Sequence, residues 1–237
     1  MGVFRRKLGK IRRIIFYPES EFLLIKPQNR WRDLLKEYQF RTILDIGAND
    51  GEFAKNAREI FPHTKIYSFE PIPAVYQKLK EYFIEDKNFV AYNYALGNFS
   101  GDSVFYMNEF SPSSSLLEMK EHKEHFDIAL EETPISIKLE RLDDFDFSEE
   151  IKRPLLVKID VQGYELEVIK GGSEIIKSAD AVVTEVSFTE LYKDQPLFDE
   201  IYEALRSFGF KYAGNIEQLF SPVDGKLLQA DAFFIKK

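Results

Sequence analysis

The sequence has no cysteine among its 237 residues. This absence excludes a disulfide-stapled scaffold, a thiolate zinc site and a cysteine nucleophile. No apolar run reaches the ~20 residues that a membrane-spanning helix needs. The short apolar stretch after the first basic residues lacks a signal-peptide cleavage pattern, so we expect a cytoplasmic protein that is not exported by that route.

Outside the N-terminus, negative charges outnumber positive ones. The net charge is −8, yet residues 1–13 hold six positive charges and no negative one. An acidic body binds polyanions poorly, and we therefore expect no nucleic-acid substrate. Apolar residues recur at helical spacing in residues 1–15. Two interpretations stay open for them, an amphipathic helix on an anionic membrane surface and a solvated terminal helix.

The sequence does contain regular alternation of apolar strands and amphipathic helices. Hydrophobic residues make up 44% of the chain, enough for a sizeable core. The first half predicts strand, helix, strand, helix and strand at residues 42–46, 51–61, 65–69, 73–83 and 89–94. This order is typical of a parallel sheet that is covered by helices.

The second half begins with two segments of alternating polarity, residues 101–108 and 133–142, which favour antiparallel or edge strands. The α/β order then resumes with a strand ending at Asp160 and a short helix whose C-cap is the pair Gly171–Gly172. We predict one α/β domain over residues 41–237. It has about seven mostly parallel strands with helices on both faces, and a basic helical extension at residues 1–40 precedes it.

The turn after the first strand lacks the marks of two common nucleotide sites. It reads Gly47-Ala-Asn-Asp-Gly51, behind Asp45. It has no third glycine for a pyrophosphate and no Lys-Ser/Thr pair of a P-loop. The carboxylates of Asp45 and Asp50 would repel a pyrophosphate, but they suit a ligand with an ammonium or sulfonium group. S-adenosylmethionine carries both, and glycine lets the backbone approach it closely.

Glu70 ends the second predicted strand, nineteen residues after Gly51. An acidic side chain at this spacing can accept hydrogen bonds from ribose hydroxyls. It would serve a nicotinamide dinucleotide equally well, so it indicates a ribose without choosing the cofactor. The alternative for the glycine turn, a tight connection without a ligand, is weakened by this spacing.

Several stretches now resemble a known family, and they occur in the order "LDIGANDGEF", "YSFEP", "YALGNFSGDSVFY", "SSSLLE", "ERLDDF", "LLVKIDVQGYELEVIKGG" and "VVTEV". Together they resemble the FkbM-type methyltransferases, which are S-adenosylmethionine-dependent O-methyltransferases with a class I Rossmann-like fold. The resemblance extends from about Arg41 to Val186 and includes the closing strands. The block around "KIDVQGYE" is its most specific part.

The resemblance implies a set of site residues. The cofactor site consists of Asp45, Gly47, Ala48, Asn49, Gly51, Glu70, Pro71, Ala95 and Leu96, with Glu70 on the ribose and the last two lining the adenine pocket. Asp160 ends the fourth parallel strand and faces the transferable methyl group. Many relatives have glutamate where this chain has Gln162, so the role of that carboxylate stays open.

A hydroxyl acceptor is a weak nucleophile, and a base beside it should raise the rate ~10²–10⁴-fold. Asp160 is the first candidate, with orientation of the cofactor as its alternative role. Glu165 either acts in catalysis or stabilises the start of a helix. Glu185 lies in an apolar strand, where a charge needs a partner. It is either a site residue or one half of a structural ion pair, for which Lys158 is the expected partner.

The insert between the third and fourth parallel strands is a candidate lid over the site. Its candidate contacts to substrate are Ser114, Ser115, His122 and His125, and the alternative is a flexible polar loop with a solvated helix. We assign no metal. A divalent cation on Asp160 and Glu185 is possible but not favoured.

The sequence thus predicts a methyltransferase that acts on a small-molecule or glycan hydroxyl, with a sugar of a surface glycan or its precursor as the leading acceptor. Two alternatives stay open, a nicotinamide-type oxidoreductase and a non-catalytic nucleotide-binding module of the same fold. An amino-methylating enzyme for nucleic acid is disfavoured, because "DVQG" stands where such enzymes have "[DN]PP[YF]".

Overall fold

A computed structural model describes residues 35–108, 114–120, 132–147 and 151–236. The predicted basic segment at residues 1–15 lies outside this part, and so does most of the extension that follows it. Within the described part, no helix has the length and apolar composition that crossing a bilayer requires.

The strands and helices follow the predicted order closely. They are β1 (Thr42–Ile46), α1 (Glu52–Ile60), β2 (Lys65–Phe69), α2 (Pro73–Tyr82), β3 (Phe89–Tyr92), β4 (Ala95–Leu96), β5 (Gly101–Asn108), β6 (Glu132–Glu140), β7 (Leu155–Ile159), α3 (Glu165–Gly171), α4 (Ser173–Ser178), β8 (Ala181–Ser187), α5 (Phe198–Ser207), β9 (Phe210–Phe220) and β10 (Leu227–Lys236). A 3₁₀ turn at Leu142–Asp144 precedes β7.

Seven strands form the main sheet in the order β3-β2-β1-β7-β8-β10-β9. The five strands from β3 to β8 in that order are parallel, and β10 is antiparallel to both of its neighbours. β1 and β7 are buried along their whole length, as expected for strands covered on both faces. The prediction of about seven mostly parallel strands is confirmed.

Helices cover both faces of this sheet, as predicted. On one face, α1 and α2 contribute Ala54, Ala57 and Leu79 to a buried cluster. On the other face, α3 and α5 contribute residues such as Val168 and Leu205 to a second buried cluster. The core is therefore split into two layers with the sheet between them.

The strand register places the functional edge of the sheet. Ile46 at the end of β1 pairs with Phe69 of β2 and with Ile159 of β7. The residues that follow these three strand ends therefore start level with one another. In open α/β sheets, ligands bind beyond this edge.

The segments of alternating polarity form a sheet of their own, which the sequence did not indicate. β5 and β6 are antiparallel, as expected, but β6 also pairs in parallel with β4, and the three strands form a sheet beside the main one. Ala95, Phe105 and Leu139 pack together in its core. This small sheet forms one wall of a cavity at that edge of the main sheet, which we call the main cavity.

The expected C-cap at the glycine pair is confirmed at Gly172, whose N–H donates to the carbonyl oxygen of Val168, although the backbone there is not left-handed. α3 ends at Gly171, and α4 starts directly after Gly172, whose φ is −118°. The reason for the first glycine is close packing, because a Cβ on Gly171 would lie 1.7 Å from the carbonyl oxygen of Gly97.

Candidate active site

The glycine turn after β1 is held in left-handed backbone conformations. Gly47, Asn49 and Gly51 have φ values of +77°, +46° and +82°. A Cβ on Gly47 would lie 1.8 Å from the carbonyl oxygen of Asp160, and one on Gly51 would lie 2.5 Å from Leu79. Both glycines are therefore required by contacts within the protein. Gly47 lets the turn touch the loop after β7, and Gly51 lets α1 approach α2.

Glu70 lies beside this turn with both carboxylate oxygens engaged. The backbone N–H of Asn49 donates to one oxygen at 2.9 Å, and the N–H of Ile72 donates to the other at 2.8 Å. The side chain is only 4% exposed. Burial raises the pKa of Glu70 to about 7, although the two amides lower it. Each oxygen keeps a lone pair that could accept a ribose hydroxyl.

A cavity opens at this edge of the sheet, and it contains most of the predicted cofactor residues. Gly47, Asn49, Glu70, Pro71, Ala95 and Leu96 line it, together with Ile46, Phe69, Ile72, Tyr94, Phe105, Ser114, Leu116, Asp160, Val161 and Gln162. Its apolar end lies between α2 and the small sheet. Such an apolar slot beside a ribose-binding carboxylate could hold an adenine ring.

Asp45 lies below the turn and lines neither this cavity nor the one beside it. It is fully buried, and it accepts a hydrogen bond from Ser68 at 3.1 Å. Its other oxygen lies 3.7 Å from the ammonium of Lys158. Burial raises the pKa of Asp45, and Lys158 opposes that shift. Any contribution to a ligand would therefore be made through Lys158.

Lys158 is a residue of this site to which the sequence interpretation gave the wrong ion-pair partner. Its ammonium lies 3.3 Å from Asp160, and it donates to the carbonyl oxygen of Gly47 at 3.2 Å. Burial alone would lower the pKa of Lys158, but Asp160 and Asp45 hold it above its ordinary value. The expected ion pair with Glu185 is replaced by these contacts. A lysine inside an apolar strand signals such a partner, but it does not identify it.

The three candidate catalytic carboxylates lie in one region, Asp160 and Glu165 after β7 and Glu185 near the end of β8. Glu165 accepts hydrogen bonds from the N–H groups of Val161 and Gly163 at 3.0 and 3.1 Å. It thereby ties the loop before α3 to the helix start, and burial raises its pKa to about 7. Burial, with the nearby charges of Asp160 and Glu165, raises the pKa of Glu185 well above its ordinary value.

Gln162 joins two of these carboxylates. Its side-chain N–H₂ donates to Asp160 at 2.8 Å and to Glu185 at 3.0 Å. The hydroxyl of Tyr192 donates to the Gln162 side-chain oxygen at 3.0 Å. Asp160 and Gln162 line the main cavity, so one member of the bridged pair and the bridge itself lie at its wall. No sequence pattern pointed to Tyr192.

The described part of the insert contacts this site. Ser114 lines the cavity and accepts a hydrogen bond from the N–H of Asn108 at 2.9 Å. Ser115 donates to the carbonyl oxygen of Gln162 at 2.6 Å. The other two predicted contacts, His122 and His125, lie outside the described residues.

A second cavity meets the first at Gly47, Asn49 and Asp160. Its other lining residues are Ala48, Asp50, Glu52, Phe53, Asn56, Lys158, Val183, Ile216, Glu217 and Asp231. Asp231 faces Glu185 across the β8–β10 ladder, and burial raises its pKa to about 7. An acid inside the apolar strand β10 is the same signal as Lys158 in β7, and the sequence interpretation missed it.

The described residues contain no group of three or more histidine or carboxylate side chains that could hold a metal ion. Asp160 and Glu185, the pair considered for a divalent cation, are bridged by Gln162 instead.

The comparisons with known proteins agree with one another. A family model described as the methyltransferase FkbM domain matches residues 45–212. The chain is 30% identical over 173 residues to the 2-O-methyltransferase NoeI of Sinorhizobium fredii, which covers 70% of this chain and 71% of that protein. It is 28% identical over 190 residues to the hexuronic acid methyltransferase AglP of Haloferax volcanii, with 76% of this chain and 73% of that protein covered.

A solved structure supports the fold. The chain matches the crystal structure of methyltransferase FkbM from Methylobacillus flagellatus with a TM-score of 0.50 and 12% identity. The match covers 83% of this chain and spans 44% of that longer chain.

Proposed function

The chain belongs to the FkbM family of S-adenosylmethionine-dependent methyltransferases, and we propose that it methylates a hydroxyl group of a sugar. The two curated relatives are named as a 2-O-methyltransferase and a hexuronic acid methyltransferase. The observation that carries the proposal is the position of Glu70, with both oxygens held by backbone amides at the wall of an apolar slot.

We assign the two ends of S-adenosylmethionine to two ends of the main cavity. The adenine would lie in the apolar slot lined by Ile72, Ala95 and Phe105, and the ribose hydroxyls would donate to Glu70. The methionine end would extend toward Gly47 and Asp160. A carboxylate there complements the ammonium group, whereas a pyrophosphate would be repelled. This charge pattern also disfavours the nicotinamide-type oxidoreductase.

Asp160 is the residue that we assign as general base. The bound cofactor supplies an electrophilic methyl group on a sulfonium. The acceptor oxygen forms the new C–O bond as the S–C bond breaks, and its proton passes to the carboxylate. Holding the acceptor in line can contribute about 7–11 kcal/mol to lowering the barrier, and the base adds ~10²–10⁴ in rate. The ammonium of Lys158 lies 3.3 Å from Asp160 and donates to the Gly47 carbonyl, so it holds these two groups in place.

Glu165 and Glu185 have different proposed roles. Glu165 accepts hydrogen bonds from the backbone of the 161–163 loop, so we propose that its role is to orient that loop. Glu185 shares a donor with Asp160, so we assign it the role of holding that donor, the Gln162 amide, beside the base.

The second cavity is the proposed acceptor site, because it meets the cofactor cavity at Asp160. Five carboxylates line it (Asp50, Glu52, Asp160, Glu217 and Asp231) against one ammonium, that of Lys158. Carboxylates accept hydrogen bonds from sugar hydroxyls, and they repel an anionic sugar. We therefore expect a neutral or amino sugar, unlike the hexuronic acid that AglP is named for.

Calorimetry and a methyl-transfer screen test this function. We expect S-adenosylmethionine and its demethylated product to bind and to raise the melting temperature, and NAD to give no heat. With labelled methyl donor and a panel of neutral, amino and uronic sugars, we expect transfer to the first two, with at least about tenfold less to the uronic sugars. Binding of NAD alone would overturn the family reaction, and a preference for uronic sugars would overturn only the acceptor assignment.

A further inference from the structure

Gln162 lies where three segments of the chain meet, just after the end of β7. Its side chain bridges Asp160 and Glu185, and Tyr192 from the segment after β8 donates to it. Its backbone carbonyl accepts from Ser115 of the insert. Gln162 therefore links these three segments through both its side chain and its backbone.

The orientation of the amide follows from its partners. A carboxylate accepts hydrogen bonds but cannot donate them when it is ionised. The N–H₂ group of Gln162 faces Asp160 and Glu185, and its oxygen faces Tyr192. Burial raises the pKa of Tyr192 well above its ordinary value, so this hydroxyl stays protonated and donates.

The backbone of Gln162 is in a conformation that few side chains adopt. Its φ is +56°, and Gly163 follows with φ +97°. Such strain persists only where surrounding contacts hold it, and it is concentrated at functional sites. Here Ser115 and Glu165 supply those contacts, because they bond the carbonyl of Gln162 and the N–H of Gly163.

The charges around Gln162 show why a neutral donor is needed there. Among the described residues, the titratable groups that act on it or its partners are Glu132, Asp160, Glu165, Glu185, Asp231, Tyr192 and the ammonium of Lys158. Lys158 serves Asp160 and Asp45 rather than Glu185. Gln162 is therefore the group that supplies Glu185 with a side-chain donor without adding charge.

We propose that Gln162 is a positioning residue that holds the carboxylates of Asp160 and Glu185 as one hydrogen-bonded pair beside the acceptor hydroxyl. The acceptor in this statement rests on the proposed function, whereas the pairing of the carboxylates does not. The amide aligns Asp160 for proton removal and keeps Glu185 beside it to share the charge.

The first test needs no turnover. The carboxyl ¹³C signal of Glu185 is titrated by NMR in the wild-type protein and in the Gln162→Met variant, which keeps the length of the side chain but removes both donors. We expect the Glu185 titration to move upward by about one pH unit, because a lost donor disfavours the charged form. In Gln162→Glu, we expect a further upward shift, because a third carboxylate joins the pair.

The second test separates positioning from a structural role. Gln162→Met should lower kcat by about ten- to hundredfold, with affinity for the demethylated cofactor within about threefold of wild type. Gln162→Glu should move the acid limb of the kcat profile to higher pH. Gln218→Glu, the same exchange at an exposed position of β9, should leave both unchanged.

An unchanged Glu185 titration in Gln162→Met would overturn the proposal, whether or not methyl transfer is found. Parallel losses of melting temperature, cofactor affinity and kcat, with no movement of the pH profile, would also overturn it in favour of a structural role. Failure of the wild-type protein to bind either sulfur nucleoside would instead overturn the proposed function, and the titration would still decide whether Gln162 pairs the carboxylates.

Discussion

The carboxylates near the two ends of the main cavity have very different surroundings. At the end of β2, Glu70 stands alone and receives two backbone amides at 2.8 and 2.9 Å. After β7 and within β8 and β10, Asp160, Glu185 and Asp231 lie close together, with Lys158 beside Asp160 and Asp231 and with Gln162 between Asp160 and Glu185. We call these the adenosine side and the transfer side. The first is built from local backbone, and the second from side chains that are distant in sequence.

The difference suits two kinds of task. A carboxylate held by fixed amides is a rigid acceptor, which binding a ribose requires. Coupled carboxylates share protons, which a base that must take up a proton and release it requires. We therefore expect substitutions on the adenosine side to affect binding and those on the transfer side to affect turnover.

The sharpest test of this division compares Asp160→Asn with Glu70→Gln. Asp160→Asn should lower kcat by ~10²–10⁴-fold, because the base is removed, with cofactor affinity changed only a few-fold. Glu70→Gln should weaken cofactor binding by about ten- to hundredfold, because charge-assisted hydrogen bonds to the ribose are lost, with kcat at saturating cofactor near wild type. Calorimetry and initial rates measure the two effects.

The exposed Asp102→Asn exchange, on the small sheet, serves as the matched control and should change neither quantity. Equal losses of affinity and turnover in both site variants would show that the two sides act as one unit, and the division would have to be abandoned.

Gly47 lies between the adenosine side and the transfer side, and its substitution should have the next largest effect, on stability and on cofactor binding. A left-handed φ costs an alanine about 1–2 kcal/mol. Gly47→Ala also brings Cβ to 1.8 Å from the carbonyl oxygen of Asp160. We expect a loss of more than about 3 kcal/mol in the free energy of unfolding, because backbone must move, and a loss of cofactor binding.

Gly209 offers a control for backbone strain, since its φ is +91° and a Cβ there meets nothing within 4 Å. Gly209→Ala should cost only the strain of about 1–2 kcal/mol and leave cofactor binding intact. Urea denaturation of the two variants gives the difference. Equal losses would mean that the contact with Asp160 relaxes without cost.

The adenosine side could be predicted from the sequence because its signals are local. The apolar run before Gly47 and the spacing to Glu70 both lie within one βαβ unit, and the register of β1 with β2 places their ends together. The main sheet could be predicted for the same reason, since each strand is a short apolar run between helices. The small sheet could not be predicted, because the alternating polarity of an edge strand does not show which strand it pairs with.

The transfer side could be predicted only in part. Asp160 and Glu185 are visible as acids at or in buried strands, and Lys158 as a lone lysine. Which acid pairs with that lysine depends on side-chain reach across the sheet. The expected pairing with Glu185 was wrong, because Asp45 and Asp160 lie closer to the lysine ammonium. The bridge through Gln162 and Tyr192 depends on a left-handed backbone and on a loop contact, and neither has a sequence signature.

The carboxyl group of Asp231, on the transfer side, makes the stability of the folded protein depend on pH. Burial raises its pKa to about 7 from an ordinary value of 3.8, with Asp160 adding to the shift and Lys158 opposing it. Because the folded-state pKa is the higher one, the native protein binds an extra proton between these values. The stability contributed by this group is therefore present at low pH and is lost as the pH rises through 7.

Asp231→Asn should remove this loss, since asparagine carries no charge to bury. We expect the melting temperature of the variant, relative to wild type, to rise by several degrees between pH 5 and pH 8, corresponding to at most about 3 kcal/mol. Asp180→Asn is the matched control of opposite sign. Partial burial would raise the pKa of Asp180, but Arg153 and the N–H of Leu155 lower it. Its loss should destabilise the protein at pH 8. If Asp231→Asn also destabilised the protein at pH 8, Asp231 would be a held carboxylate like Glu70, and the contrast between the two sides would rest on Asp160 and Glu185 alone.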